Sequence, residues 1–168
     1  MIKLSPNSQK FLKTLHLITA GGWVTGAFTL TIMYFLKKGV TNGDELYAIN
    51  NSMHFIDNYV VVLLGAIGCL LTGLIYSIFT NYGFFKHGWL IFKWIVTVGC
   101  ILFGTFYLGV WESNMTNISD SLRGAALTNA DYLYNQKMQF VFGAVQLVIL
   151  IATVFVSVYK PWKSKKTK

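Results

Sequence analysis

Lys93 interrupts an otherwise apolar run, HGWLIFKWIVTVGC from His87 to Cys100. A lysine in hydrocarbon is costly unless it snorkels to the head groups or meets an anion. His16 stands in a comparable place, near the start of LHLITAGGWVTGAF. An imidazole at such a depth can ligate haem iron, and an ammonium can hold a carboxylate or phosphate as a point charge. If the first run enters hydrocarbon near Phe11 and the third near Trp89, helical rise puts His16 about 7 Å deep and Lys93 about 6 Å deep on the same side. His87 lies about a turn shallower than Lys93. Gln146, in the middle of a further apolar run, needs a hydrogen-bond partner: a neighbouring helix, a polar cofactor group or water.

These residues suggest haem b in two arrangements. His16 ligates the iron while Lys93 meets a propionate, or His16 and His87 both serve as metal ligands if the connecting loop folds inward. His16, Lys93, His87 and Gln146 are the candidate cofactor-binding residues. Haem or a quinone is the expected small-molecule partner. Simple snorkelling is the plainer reading of Lys93. His54 precedes the second run on the opposite side and reads as an interfacial helix start. Cys69 and Cys100 have no CxxC or histidine spacing that would signal a zinc or iron–sulfur site. The methionines are scattered, which weakens the case for copper.

Four apolar runs must position these groups. They are Leu15–Leu36, Tyr59–Phe79, Trp89–Trp111 and Phe140–Tyr159, each near the length of about 20 residues that crosses a bilayer core. Hydrophobic residues make up 54% of the chain and charged ones 12%, against about 25% charged in a soluble domain. The expectation is an all-α polytopic membrane protein: a four-transmembrane-helix bundle forming a single integral domain, with spans at approximately 13–36, 58–80, 89–111 and 139–160. Glycine, threonine and cysteine in runs two and three, and glutamine and glycine in run four, give faces suited to close helix packing. Such faces also admit a homo-oligomer or another membrane subunit as partner. In the first loop Asp44 is expected to cap a short helix, and in the third Ser119 or Asp120 is expected to cap a helix leading to the fourth span. Pro161 is a helix stop.

Charge sets the orientation. Lys3, Lys10 and Lys13, then Lys86 and His87, then Lys160, Lys163, Lys165, Lys166 and Lys168 fall on one side of a four-span chain. The loops on the other side carry Asp44, Glu45, Asp57, Glu112, Asp120 and Asp131, with Lys37 and Lys38 as local dissent. The positive-inside rule places both termini in the cytoplasm, in keeping with a multi-pass protein of a bacterial cytoplasmic membrane. The net charge of +8 is mainly this topology signal. It is not a nucleic-acid footprint, because the lysines sit in separate flanks. No phosphate-binding glycine loop, H-E-x-x-H or nucleophile elbow is present.

FLKTLHLITAGGWVTGAF resembles the first span of small bacterial integral membrane proteins in which leucine–histidine is followed by tryptophan and glycines. LTGLIYSIFTNYGFFKHGWLIFKWIVTVGCILFGTF resembles the middle hairpin of the uncharacterised DUF2269-like four-helix membrane family. His16, Trp23, Gly26, Thr72, Gly73, Trp89, Lys93 and Trp94 carry the resemblance. A looser similarity, through His16 and Lys93, extends to haem-binding protoporphyrinogen oxidase membrane proteins and to copper-resistance membrane proteins. Leu90 stands where the oxidase family has the histidine of its H-x-x-K arrangement. The resemblance therefore implies haem binding, copper handling or a structural role. The functional expectation is a haem-associated membrane redox or haem-handling protein. Its competitor is a small transporter or accessory subunit with a polar intrabundle site.

The charge pattern makes a topology prediction. A single cysteine placed at Asn117 should react with a membrane-impermeant thiol reagent from outside the cell, and one at Ser164 should not. The reverse pattern would overturn the orientation.

Overall fold

The computed structural model describes residues 4–80 and 83–162. Lys3, Lys163, Lys165, Lys166 and Lys168, used above for orientation, lie outside the described residues, as does Ser164. Helix α1, Pro6–Lys37, begins where the Ser5 hydroxyl accepts from the Ser8 N–H, with proline in the first turn. Proline is tolerated there because the N–H it lacks has no intrahelical partner anyway. Helix α2 is Gly43–Phe79, helix α3 is Gly88–Thr128 and helix α4 is Ala130–Tyr159. All four are long and apolar enough to cross a membrane, and no strand occurs among the described residues. The chain is an all-α, multi-pass membrane bundle. Leu17, Ile18, Phe28, Ile95, Val148 and Phe155 point outward, as they must where the solvent is lipid. Within each span the backbone groups are satisfied by the helix itself.

Two helices change pitch inside the bundle. Helix α2 is wound as a π-helix over Ile56–Ile67, and α3 has a shorter π turn over Gly104–Leu108. Such widened turns rotate the face that follows them, and they are often found beside functional sites. Helix α1 packs mainly on the π stretch of α2. A Cβ on Gly65 would lie 2.7 Å from the Trp23 Cα, and one on Gly68 would lie 2.7 Å from Thr19 Cγ2. The small-residue face of the second span is thus the seam through which α1 and α2 approach. Trp23, Val61, Ala66, Cys69, Cys100 and Leu150 form the buried core beside it.

The outer connections are helical, as expected, but their caps and their continuity with the spans differ from expectation. Helix α2 starts at Gly43, well before the span, and α3 continues to Thr128, so the first and third loops are mostly helical extensions of the spans. Asn42, not Asp44, is the cap. In extended conformation its side chain accepts from the N–H groups of both Asp44 and Glu45. Asp44 instead sits in the first turn, where its charge favours the positive end of the helix dipole. Asn129, rather than Ser119 or Asp120, caps α4 by accepting from the Tyr132 N–H. Ser119 is fully buried within α3 and donates its hydroxyl to the Thr116 carbonyl at 3.0 Å. These extensions build a second core from Val40, Leu46, Met115, Ala126 and Tyr132. Gly43 abuts the backbone of Arg123 and Gly124, leaving no room for a Cβ. At the far end α4 stops where Lys160 turns left-handed, with φ 46°, and Pro161 follows.

The α1–α2 seam makes a stability prediction. Gly65→Ala should cost about 1–3 kcal/mol, because its methyl meets backbone that cannot step aside. Gly143→Ala, with nothing within 4 Å of the new Cβ, should change stability by no more than about 0.5 kcal/mol. Thermal unfolding of both variants in one detergent checks this, and equal melting temperatures would contradict the close approach.

Candidate functional site

The start of α1, the end of α2, the start of α3 and the end of α4 meet at one end of the bundle. Leu4 donates its N–H to the Phe79 carbonyl at 3.1 Å, and Phe92 packs on Trp162 with ring centroids 6.1 Å apart. A cavity of about 480 Å³ opens here, within the size range of small-molecule sites. Its lining includes Lys13, His16, Cys69, Tyr76, Trp89, Lys93, Trp94 and Lys160. The structure thus places His16 and Lys93 in one wall-to-wall space.

His16 is held by one hydrogen bond. Its Nδ1 is 2.8 Å from Thr72 Oγ1. The Thr72 hydroxyl has one proton, and its closest acceptor is the Gly68 carbonyl at 2.6 Å. The hydroxyl therefore donates to Gly68 and accepts from His16 Nδ1–H. That assignment leaves the lone pair on Nε2, the arrangement a metal-ligating histidine adopts when its other nitrogen is fixed by a neighbour. Gly73 faces the ring: a Cβ there would be 3.7 Å from His16 Cε1.

The rest of the lining is rich in donors and poor in acceptors. Lys13, Lys93 and Lys160 contribute three ammonium groups. Lys93 interacts electrostatically with His16 and Lys160, and Lys160 lies 5.5 Å from the centre of the Trp89 ring. The indole N–H of Trp94 is buried with no acceptor among the described residues. None of the six carboxylates in the chain lines this cavity.

His87 and Gln146 do not join His16 and Lys93. His87 precedes α3 and stacks on Trp89 at 6.0 Å, outside the cavity lining. Gln146 lines a different cavity, of about 170 Å³, which runs toward the opposite end past Trp23, Met53, Asp57, Lys37 and Gln139. His54, at that opposite end, contacts Asn58 through Nε2 at 3.0 Å. Among the described residues no group of three or more His, Cys, Asp or Glu gathers in a way that could hold a bare metal ion.

The opposite end holds a polar cluster that the sequence reading assigned to loops. Lys37 is 3% exposed and donates to Asn50 Oδ1 at 2.8 Å. The Asn50 amide in turn donates to the Tyr132 hydroxyl at 3.2 Å. Glu112 is 0% exposed, and both of its carboxylate oxygens lack a hydrogen-bond donor among the described residues. Gln139 sits beside it, and its Oε1 also lacks a donor. The sequence offered only the departure of Lys37 from the charge rule, which it shares with the exposed Lys38; the fold alone separates the two.

Comparison with family models, with characterised proteins and with solved structures finds no match. The functional reading therefore rests on these two ends of the bundle.

Proposed function

We propose that this chain is a haem-associated protein of the bacterial cytoplasmic membrane, acting in redox chemistry or haem handling at the cavity near its termini. The observation that carries the reading is the pairing of His16, its Nδ1 fixed by Thr72, with a lining of three lysines and no carboxylate. Such a lining suits an apolar ligand that carries acidic groups. Haem b fits this donor set: His16 Nε2 would serve as an iron ligand, and Lys93, with Lys13 and Lys160, would neutralise the propionates. Haem supplies one-electron chemistry when bound. The protein's own residues bind, orient and shield it. Thr72 holds the ring of His16, Trp89 and Trp94 give an aromatic wall, and Lys93 supplies the charge that hydrocarbon would otherwise exclude. His87 lies outside the lining and is not assigned a ligand role here.

The second reading, a small transporter or accessory subunit, draws on the other cavity, where Asp57, Lys37, Gln139 and Gln146 line a space inside the bundle. Polar and ionisable residues in such places commonly mark ion or proton paths.

Haem titration of the purified protein separates the two. The wild type should develop a Soret band at one equivalent. His16→Ala should lower affinity at least tenfold, about 1.4 kcal/mol, while His54→Ala should bind as the wild type does. Thr72→Val, which removes the acceptor for Nδ1–H, should weaken binding by roughly 10–100-fold, the usual cost of losing an outer-shell partner. Wild-type affinity in both His16→Ala and Thr72→Val would overturn the site and leave the second reading.

A further inference from the structure

The cluster at the acidic end differs from the lysine-lined cavity: it gathers buried carboxylates, with Lys37 as their one ammonium among the described residues lining the adjoining cavity. Glu112 on α3 is 0% exposed, and neither carboxylate oxygen has a donor in close hydrogen-bond geometry among the described residues, with the Gln139 amide as its polar neighbour. Gln139 on α4, 9% exposed, presents a third acceptor oxygen without a donor. Asp57, 7% exposed, enters from the first π turn of α2 and lines the adjoining cavity with Lys37 and Gln139. Glu112 interacts electrostatically with both Lys37 and Asp57.

The charge count in this enclosed space does not close. Glu112 and Asp57 carry two negative charges when ionised, and Lys37 supplies one positive charge. The other groups facing Glu112 do not make up the difference. Tyr132, from α4, is neutral and bonded to Asn50. Gln139 is neutral. His54, one turn before Asp57, accepts from Asn58 at Nε2 and is uncharged in that role, with its buried Nδ1 unpaired among the described residues. Arg123, in the third connection, is taken up at the surface by Asp44 and Asp120. An unbalanced charge buried among apolar helices is strongly disfavoured, and such groups neutralise instead. Two carboxylates that repel each other in a buried site commonly do so by one of them taking up a proton.

We propose that Glu112 and Asp57 form a proton-binding site in which one exchangeable proton is held by the pair, with Lys37 as its fixed counter-cation. Binding forms one O–H bond on a carboxylate, and release returns the proton to water through the cavity that Asp57 lines. Lys37 is kept in place by Asn50 Oδ1 at 2.8 Å and by Met115 Sδ at 3.8 Å, so when charged it offsets one carboxylate and leaves the other to the proton. The site is distinct from the lysine-lined cavity and stands whether or not haem binds there.

Infrared difference spectroscopy of the full-length protein in lipid, without haem, tests this. The wild type at neutral pH should show the carbonyl stretch of a protonated carboxylic acid, shifted by deuterium exchange. Glu112→Gln should abolish it. Asp57→Asn should abolish it too, although Glu112 remains, because Lys37 then balances Glu112 alone. A band that persists in Asp57→Asn would show a carboxyl protonated by burial alone and overturn the shared site. Absence of the band from the wild type would overturn it without any variant. So would its loss when sodium chloride replaces choline chloride at constant pH, which would mark a metal-cation site instead.

Discussion

The bundle is governed by the separation of charge along its long axis. All six carboxylates lie in the sequence between Asp44 and Asp131, in the connections and helix ends away from the termini. The other end is left with lysines alone. In water this would be a weak effect, since surface charges are screened within about 8–10 Å at ordinary salt. Inside a helix bundle facing lipid it has structural consequences. A charged group that cannot reach water must find a partner of opposite sign or lose its charge. Lys93 and Glu112 face this constraint at opposite ends of the same helix, α3. Neither meets a partner of the fitting kind in hydrogen-bond geometry among the described residues.

The two ends solve the packing problem differently. At the acidic end, helical extensions of α2 and α3 close over the cluster, and Leu46, Met115, Ala126 and Tyr132 seal it. Asn50 is the keystone there. It accepts from Lys37 and donates to Tyr132, and its own carbonyl accepts from Thr116 Oγ1 at 3.4 Å. At the basic end no comparable cap forms among the described residues, and a cavity lies among His16, Lys93 and Trp94. The π-helical turns lie between these regions. They permit α2 to present Asp57 to one end and Thr72 to the other while keeping Gly65 against Trp23.

Much of this architecture is legible in the sequence, for reasons tied to particular residues. The spans can be read because hydrocarbon leaves runs such as Tyr59–Phe79 free of charge. The proximity of His16 and Lys93 can be read because helical rise converts sequence position into depth, and two groups at one depth in one bundle have few places to be. The location of Gln146 is harder to foresee. Depth does not specify which helix face turns inward, and the π stretches shift that register. The acidic-end cluster is hidden for another reason. Lys37, Asn50 and Glu112 sit in segments whose polarity reads as loop, and only the tertiary packing of the helical extensions of α2 and α3 buries them. Asn42 and Asn129 act as caps where Asp44 and Ser119 seemed equally suitable, because capping depends on which residue stands extended just outside the helix.

The central claim is that the basic end is built for an acidic, apolar ligand, with Lys93 as a buried point charge. The most direct measurement compares binding of haem with binding of its propionate diester to the wild type and to Lys93→Met. The account predicts that the wild type prefers the free acid by at least tenfold, about 1.4 kcal/mol, and that Lys93→Met loses most of this preference while still folding. Equal affinity for the two ligands in the wild type would contradict it and return Lys93 to the role of an interfacial anchor.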